Sequence, residues 1–223
     1  MSEAAKSERG EQSRLAIAAA AQELFLERGY DKTTMRAVAE RAGVSLGNAY
    51  YYFSSKEHLV QAFYDGIQAS HAEVAVRRLD GRVALGDRLG AALIAWIDVA
   101  EPFHEFAAQF FKVAADPGSP LSPFSPESAP ARDAAVGIHR LVVEGSDAKV
   151  TKDVRAALPE LLWMLQMGIV LFWVHDQSEG QARTRELVQR LVPVVDKVVK
   201  VSRLPGVKGV ITDLIDLLDA MRP

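Results

Sequence analysis

The sequence predicts an all-α protein, because apolar residues recur at helical spacing along most of the chain and no stretch alternates in polarity as a strand would. The chain has 223 residues, of which 49% are hydrophobic and 25% charged, enough for one sizeable core or two small domains that share one. It has no cysteine, which excludes disulfides, and its polar N-terminus is unlike a signal peptide. These features predict a soluble, cytoplasmic protein with no membrane partner.

The first predicted helix follows a short N-terminal arm. Residues 1–10 are polar and of mixed charge, and we expect them to be flexible. From residue 11 to about Arg28, apolar side chains fall on one face of a helix, which Gly29 then ends. The side chains of this face are Ile17, Ala18, Ala21, Leu24 and Phe25.

Two short helices separated by a glycine-containing turn are predicted between Thr33 and Lys56. Thr33 can cap the first helix, and its apolar residues form one stripe. They are Met35, Val38, Ala39 and Ala42. Gly43 supplies the left-handed residue that commonly ends a helix, and Ser45 can cap the next one at once. Helices joined so closely must cross at a steep angle, which is the helix-turn-helix motif, and the second would be the recognition helix.

The recognition helix would enter the major groove of DNA with its N-terminal end. There Gly47 allows close approach, Asn48 can hydrogen-bond a base edge, and Leu46 can touch a thymine methyl. Tyrosine hydroxyls, a lysine and the amino end of the preceding helix suit phosphate oxygens. The predicted DNA contacts are Thr34, Arg36, Ser45, Leu46, Gly47, Asn48, Tyr50, Tyr51, Tyr52 and Lys56. Two alternatives remain open: Tyr50 and Phe53 serve mainly in the core, and Asn48 is an ordinary surface residue.

Net charge does not favour a nucleic-acid partner by itself. The chain carries a formal charge of -3 and has a pI near 6.0, whereas DNA-binding domains are often basic. Residues 1–60 hold equal numbers of basic and acidic side chains. We therefore expect tyrosine hydroxyls and helix ends to share the phosphate contacts, and the salt dependence of binding to be modest.

The rest of the chain is also predicted to be helical, with helices at about residues 56–79, 85–100, 102–115, 131–143, 151–175 and from 180 and 207 onward. Residues 116–130 carry five prolines, which predicts an irregular loop. Ser178 and Gln181 match a capping box before the ninth helix. We predict a flexible arm at 1–10, a helix-turn-helix DNA-binding domain at 11–57, and a larger C-terminal helical domain for effector binding and dimerisation at 58–223.

The C-terminal domain is rich in aromatic residues, which could line an apolar pocket with a histidine as its polar anchor. The alternative is that aromatic residues at helical spacing form an ordinary core. The candidates for ligand binding are His71, Trp96, Phe103, Phe106, Phe110, Trp163 and Met167.

The predicted eighth and ninth helices carry more apolar residues than one helix face can bury, which predicts a homodimer. Two helices from each subunit would form the interface. The candidate interface residues are Leu161, Leu165, Phe172, Leu187, Leu191, Val194, Val195 and Val198. A dimer would hold two recognition helices about 34–36 Å apart, the spacing of a palindromic site.

Residues 14–59 resemble the N-terminal domain of the TetR family of bacterial transcriptional regulators. The resemblance rests on one contiguous stretch, AAAAQELFLERGYDKTTMRAVAERAGVSLGNAYYYFSSKEHL. It implies a homodimeric transcription factor, usually a repressor, that a small and here hydrophobic effector of unknown identity releases from a double-stranded DNA operator. It also implies the DNA contacts named above, position by position. Leu46 stands where the family often has a polar or basic residue, and Tyr52 where it frequently has histidine.

Two other functions compete with this interpretation. An enzyme is disfavoured, because no histidine lies in a metal-ligand pattern and there is no glycine-rich phosphate loop or GxSxG elbow. We therefore expect no catalytic residue, no metal and no cofactor. The second alternative is a ligand-independent all-α dimer that binds DNA without an effector, which a compact core without an internal void would favour.

Overall fold

A computed structural model describes residues 3–116, 118–202, 204 and 213, with side chains except those of residues 3–8, 108–110 and 112. Its helices are α1 (Glu3–Lys32), α2 (Met35–Arg41), α3 (Leu46–Tyr52), α4 (Lys56–Leu79), α5 (Leu85–Ala100), α6 (His104–Ala114), α7 (Ala129–Glu144), α8 (Lys152–Val174) and α9 (Ala182–Val201). Short 3-10 turns precede α6 and α9. No strand occurs in these ranges, so the all-α prediction is confirmed. Apart from Asp213, the predicted helix from Val207 onward lies outside the described residues.

Packing divides the chain into two compact units. The first unit comprises Met1–Gln68 and Pro102–Arg132, and the second comprises Ala69–Glu101 and Asp133–Pro223. The helix-turn-helix, the first half of α4 and α6 thus belong to one unit, while α5, α8, α9 and most of α7 belong to the other. The predicted domain boundary after residue 57 concerns function rather than packing, and it stays a prediction.

α1 begins at Glu3, so residues 3–10, which we expected to form a flexible arm, are its first turns. They are mostly alanine, lysine, arginine and glutamate, which are good helix formers, and include no proline. At the other end of α1, Gly29 takes a φ of 78°, and the hydroxyl of buried Thr33 lies 2.8 Å from its carbonyl oxygen and 3.1 Å from that of Leu24. The cap of α2 is therefore not Thr33, as predicted, but Thr34, whose hydroxyl accepts the Ala37 N–H at 3.2 Å.

The core of the first unit combines the helix-turn-helix with α6. The α2 residues Met35 and Val38 are buried, as predicted. Phe25 of α1 stacks on Phe106 of α6 with ring centroids 5.3 Å apart, and Phe63 of α4 meets Phe106 edge-on at 5.5 Å. Such aromatic pairs add to the stability that burial of the rings already gives. α6 therefore contributes to the core that holds the recognition helix.

Residues 118–128 form successive turns rather than the irregular loop that the prolines of this segment predicted. The triplet Ser-Pro-X occurs three times from Ser119, and the N–H groups of Ser122 and Ser125 each donate to the carbonyl oxygen of the preceding serine, at 3.0 and 2.9 Å. These serines and Ser128 are all buried. Each proline fixes its own φ near the value that a turn requires. A composition that excludes a helix thus still gives a regular structure.

In the second unit, buried Arg88 joins the ends of two helices. Its guanidinium donates to the carbonyl oxygens of Val142 (3.0 Å) and Leu141 (2.7 Å) in the last turn of α7. It also donates to those of Leu79 (3.1 Å) and Arg82 (2.6 Å), at and just beyond the end of α4. The C-terminal end of a helix carries the negative end of its dipole. Arg88 therefore compensates two helix ends at once.

Replacing Arg88 by methionine should lower the free energy of unfolding by about 3 kcal/mol, because four backbone carbonyls, two of them in buried hydrogen bonds, lose their donor together. Gly145→Ala should destabilise through the same contact, since an added Cβ would lie 2.5 Å from the Arg88 Cζ. Urea unfolding followed by circular dichroism measures both changes. Gly137→Ala is the matched control, because a Cβ there meets nothing within 4 Å, and it should not destabilise. A wild-type midpoint for the Arg88 variant would contradict this role.

Asp176, rather than the predicted capping box of Ser178 and Gln181, holds the turn before α9. Its buried carboxylate accepts from the N–H (3.0 Å) and hydroxyl (2.6 Å) of Ser178. It also accepts from the N–H (2.8 Å) and hydroxyl (2.7 Å) of Thr184 in the first turn of α9. Burial alone would raise the pKa of Asp176, but these hydrogen bonds outweigh it and lower the pKa to about 2.

Acid should therefore destabilise the second unit through Asp176. Because its folded pKa is below the ordinary value, the ionised carboxylate stabilises the fold above about pH 4, and this contribution is lost as the pH falls toward 2. Asp176→Asn should lower the stability by about 1–2 kcal/mol at pH 7 and reduce the difference in melting temperature between pH 7 and pH 3. Asp153→Asn, at an exposed position of α8, is the control. An unchanged difference in the Asp176 variant would refute the assignment.

Candidate functional site

The recognition helix α3 is positioned by a tight turn and a side-chain cap. Gly43 takes a φ of 67°, the left-handed conformation that favours glycine, and reverses the chain after α2. Ser45 then caps α3, since its hydroxyl oxygen accepts the Asn48 N–H at 3.1 Å. Fully buried Ala49 fixes α3 on the core of the first unit. The residues from 45 to 48 are thereby held at the amino end of a short, anchored helix.

The residues predicted to contact DNA are all at least partly exposed. Thr34, Arg36, Ser45, Gly47, Tyr50 and Tyr51 are exposed, while Leu46, Asn48, Tyr52 and Lys56 are half-buried. Tyr50 is 48% exposed, so the interpretation that it serves mainly in the core is wrong. Ala49 and Phe53 fill the core instead, and a residue one position further along a helix points about 100° away. The DNA contacts themselves stay predictions.

Lys56, at the start of α4, is held against the end of α1. Its Nζ donates to the carbonyl oxygen of Tyr30 at 2.8 Å and lies 3.8 Å from the centroid of the Tyr30 ring. The Tyr30 hydroxyl in turn donates to Glu57 Oε1 at 2.8 Å. An ammonium group has three N–H donors, so Lys56 can still donate a hydrogen bond to a phosphate oxygen from this fixed position. Sequence reasoning missed this contact, because nothing local links two residues that lie 26 positions apart.

The tyrosines of α3 differ in their surroundings. Tyr51 is 80% exposed, and its ring meets that of Tyr52 edge-on at 5.0 Å. Tyr52 is half-buried, and its hydroxyl would lie 3.2 Å from a Cβ placed on Gly10 of α1. The Tyr51 hydroxyl is thus the more accessible of the two.

Ion pairs within the first unit decide which of its cations are available. Arg41 binds Glu23 at 3.0 Å and Glu27 at 2.8 Å, both on α1. The hydrogen bond from Arg41 holds the pKa of Glu27 below its usual range. Arg36, in the first turn of α2, is exposed and makes no ion pair with any described residue. Although basic and acidic residues are equal in number, Arg36 therefore offers an uncompensated charge beside α3.

The residues predicted to bind an effector fall in both packing units. His71, Trp96, Trp163 and Met167 belong to the second unit and Phe103 and Phe106 to the first, while the side chain of Phe110 lies outside the described residues. Phe103, which is half-buried, meets Phe63 edge-on at 4.9 Å in the first unit. The effector role of all these residues stays a prediction.

His71, on α4, is completely buried. Its Nε2 lies 3.0 Å from the carbonyl oxygen of Ala92 on α5, and because a carbonyl only accepts, Nε2 must carry the hydrogen and leave Nδ1 as an acceptor. Burial lowers the pKa of His71 to about 4, against the opposing effect of the Ala92 bond, so the ring is neutral at pH 7. Trp96, one turn further along α5, is 7% exposed and meets Trp173 edge-on at 5.1 Å.

Sequence reasoning missed two buried polar residues of the second unit, His139 on α7 and Gln166 on α8. His139 Nε2 lies 2.8 Å from Gln166 Oε1, and both side chains are buried. Burial lowers the pKa of His139 to about 4, against the Gln166 hydrogen bond, and nearby His71 lowers it further. The available signal was Gln166 itself, a polar residue inside the apolar run that ends at Val174.

None of the residues predicted for the dimer interface is buried within the chain. Phe172 of α8 is 44% exposed, and Val194 and Val198 of α9 are 54% and 50% exposed. Leu171 and Val201, on the same two helices, are also exposed. Exposed apolar side chains thus lie on both of two neighbouring helices, as an interface requires.

Contacts within the second unit fix the side that α9 presents. Arg185, near its start, binds Asp98 of α5 at 2.5 Å and Glu101 at 2.7 Å. Further along α9, Val192 packs close to Gly86 of α5, with its Cγ1 3.6 Å from the position of a Cβ on that glycine. One face of α9 is therefore occupied by α5, while Val194, on another face, is exposed.

α8 is the helix among the described residues that is long and apolar enough to cross a membrane. However, 44% of its most apolar window is buried inside the protein, and Trp163, Gln166 and Trp173 are among its buried residues. Core packing is therefore a sufficient reason for its composition. Among the described residues, no group of three or more His, Cys, Asp or Glu side chains is arranged to hold a metal ion.

Two family models match the sequence. Residues 17–63 match the model described as "Bacterial regulatory proteins, tetR family". Residues 88–221 match the model described as "Tetracyclin repressor-like, C-terminal domain". The second match covers more than half of the chain, so the likeness extends well beyond the helix-turn-helix.

Individual relatives agree with these matches. The HTH-type transcriptional regulator TtgR of Pseudomonas putida is 38% identical over 68 residues, which cover 30% of this chain and 32% of TtgR. The HTH-type transcriptional repressor KstR2 of Mycobacterium tuberculosis is 32% identical over 102 residues, 44% of this chain and 46% of KstR2. The chain thus spans only a third to a half of the length of these curated relatives.

A solved structure shows the same fold over most of the chain. The transcriptional regulator FadR of Bacillus subtilis, crystallised in complex with stearoyl-CoA, superposes with a TM-score of 0.61 at 19% identity. The superposition covers 80% of this chain and 97% of FadR. With the two family models, it leads to one conclusion: this chain belongs to the TetR family of bacterial regulatory proteins.

Proposed function

We propose that this protein is a sequence-specific transcriptional regulator, a repressor that binds a palindromic operator as a homodimer and is released by a small hydrophobic effector. The observation that carries the proposal is α3, a capped helix of seven residues whose amino end is exposed while Ala49 and Phe53 anchor its other side. A helix presented in this way fits the major groove of DNA. The names of TtgR and KstR2 support the same function.

In this proposal the base edges are read at the amino end of α3. The Asn48 amide can both donate and accept, Gly47 permits close approach, and Leu46 offers an apolar contact to a thymine methyl. Phosphate oxygens are held by the exposed cation Arg36 and the hydroxyl of Tyr51, with Tyr50, Tyr52, Thr34, Ser45 and Lys56 in support. The amino end of α2, with its unpaired N–H groups and positive dipole, favours one of these phosphates.

The exposed apolar face of α8 and α9 supports dimerisation. A twofold axis would pair this face with its copy, so that both helices of each subunit lie in one interface. One short recognition helix reads only a few bases, whereas two of them read a palindrome with two half-sites. The same dimer would act on chromosomal DNA in the cytoplasm.

The effector is proposed to bind in the second unit, which holds Trp96, Trp163, Met167 and His71. The stearoyl-CoA of the FadR structure makes a long acyl group one candidate for its apolar part. An effector can change operator affinity only if it binds two arrangements of the dimer with different affinity. α4 begins at Lys56, shortly after the recognition helix in sequence, and continues past His71. We propose that effector binding displaces α4 and thereby changes the affinity for the operator.

Selection of bound fragments from random double-stranded DNA tests the function. A regulator of this kind should enrich an inverted repeat whose half-sites are about one helical turn apart, and should bind it in gel-shift assays far more tightly than scrambled DNA. Failure to enrich any sequence would overturn the proposal. A ligand-independent DNA-binding dimer is the second candidate, and hydrophobic compounds that raise the melting temperature but leave operator binding unchanged would favour it.

A further inference from the structure

We infer that His71, His139 and Gln166 form the polar end of the effector site, and that the effector is an uncharged, largely apolar molecule carrying a hydroxyl or carbonyl group. The inference rests on the proposed function and specifies the chemistry of the ligand. These residues lie on α4, α7 and α8, three helices that contribute to the second unit.

Three polar atoms of this cluster have no hydrogen-bond partner in the described part of the chain. They are His71 Nδ1, His139 Nδ1 and Gln166 Nε2. The two histidines are 0% exposed and Gln166 is 1% exposed, so none of these side chains reaches bulk water. Buried polar groups are nearly always paired, and three orphaned atoms in one cluster therefore require a partner that the described residues do not supply.

The existing hydrogen bonds define what such a partner must offer. His71 donates through Nε2 to the Ala92 carbonyl at 3.0 Å, so its Nδ1 accepts. His139 and Gln166 share one hydrogen bond of 2.8 Å, and in either orientation of the amide the pair leaves at least one donor and one acceptor unused. The cluster thus presents acceptors and a donor together. A hydroxyl, which donates and accepts, or a hydroxyl beside a carbonyl, matches this set.

The cluster carries no charge with which to hold an ion. Burial keeps the pKa of each histidine near 4, so both rings are neutral at pH 7. For His71, the pKa reflects burial and the Ala92 hydrogen bond alone, and for His139 the one charge effect is that of His71, which lowers its pKa. A buried carboxylate or phosphate would lose its hydration without gaining a counter-ion, which is strongly unfavourable. The polar group of the ligand that binds this cluster is therefore expected to be neutral.

Tryptophans lie on α8, which carries Gln166, and on α5, whose Ala92 carbonyl bonds to His71. Trp96 follows Ala92 by four residues on α5, and Trp163 precedes Gln166 by three residues on α8, spacings that put side chains on the same helix face. Trp96, Trp163 and Trp173 are at most 7% exposed. An apolar body next to a neutral polar group is the lining that small-molecule sites usually have.

Binding of matched neutral and charged probes tests the inference. We would titrate decan-1-ol against decanoate, and 2-naphthol against 2-naphthoate, into the full-length protein at pH 7 by calorimetry and thermal shift. The neutral member of at least one pair should bind roughly tenfold or more tightly than its carboxylate partner, the ratio that about 1.4 kcal/mol of hydrogen bonding gives. Equal affinity, a preference for the carboxylate, or no binding of either neutral probe would overturn the inference.

Variants connect that preference to the cluster. Gln166→Leu should reduce the ratio to within about twofold, because the donor and acceptor of the amide are lost. His71→Phe, which removes the Nδ1 acceptor, provides a second variant should the first fail to fold. Thr184→Val is the control, because Thr184 is buried in the same unit but bonded to Asp176, and it should lower stability while keeping the preference.

A preference that survives both Gln166→Leu and His71→Phe would overturn the inference. The probes are measured without DNA, so this result is independent of operator binding. Enrichment of an operator without any preference among the probes would refute the ligand chemistry alone, whereas failure to enrich an operator would refute the proposed function.

Discussion

Replacing Asn48 by alanine should weaken binding to the selected operator by roughly 10- to 100-fold. Each half-site would lose a side-chain contact to a base edge, and a good contact of this kind discriminates by about 1–3 kcal/mol. The helix itself should survive the change, because Ser45 caps it through the backbone N–H of Asn48, which alanine retains. Fluorescence anisotropy with labelled operator and with scrambled DNA measures the effect, and only operator binding should fall.

The control for this experiment is Glu40→Ala, an exposed change in α2 that removes no predicted contact. It should leave operator affinity within about twofold, or raise it slightly by removing a negative charge. Sedimentation should show the same assembly for both variants and the wild type. Unchanged operator affinity in the Asn48 variant would show that Asn48 is an ordinary surface residue, the alternative that its sequence position left open.

Gly168→Arg should convert the proposed dimer into a folded monomer and reduce operator affinity by more than about 100-fold. A monomer binds only one half-site through one recognition helix, so it loses the gain in affinity that comes from binding two linked half-sites. Gly168 is exposed on α8, three residues after Leu165 and four before Phe172, in the middle of the uncovered apolar face. A Cβ at this position meets nothing within 4 Å in the same chain. The arginine is therefore tolerated by the monomer but would meet the partner subunit at the proposed interface.

Analytical ultracentrifugation of Gly168→Arg gives the mass directly, and circular dichroism shows whether the helices are retained. Gly66→Arg is the matched control, since Gly66 is also an exposed helical glycine with nothing within 4 Å of its Cβ position, but lies on α4 in the first unit. It should remain a dimer. A dimeric Gly168→Arg protein would place the interface elsewhere on the chain.

The parts of the fold that were predictable are those fixed by local chemistry. The stripe of Met35 and Val38, the left-handed Gly43 and the Ser45 cap each depend on residues within one or two helical turns, and the structure contains all of them. The Thr33 cap was misplaced by one residue because its hydroxyl bonds backward to Leu24, nine positions away. The Leu24 carbonyl on α1 thus engages the hydroxyl of Thr33, which leaves Thr34 as the cap of α2.

The parts that were missed depend on partners far apart in sequence. Arg88 bonds to Val142, 54 positions away, and His139 bonds to Gln166, 27 positions away, so neither pairing has a local pattern. Tyr50 was misassigned for a different reason, since a run of three tyrosines hides which position faces the core. The Ser-Pro-X triplets are visible in the sequence, but their prolines alone predict only that no helix forms there, and the repeat is what gives successive turns.

The pairing of Arg41 with Glu23 and Glu27 has a consequence for how the protein would search a genome. Every unpaired cation near α3 prolongs the time spent on unrelated DNA, because phosphate attraction is the same at every sequence. Two glutamates of α1 hold Arg41 away from that role, and Arg36 is left as an exposed cation of α2 with no ion pair to a described residue. Encounters of the proposed dimer with wrong sequences should consequently be brief, and it should return quickly to solution to sample new sites. A weaker overall attraction to DNA would thus go together with a larger fraction of time spent at the operator.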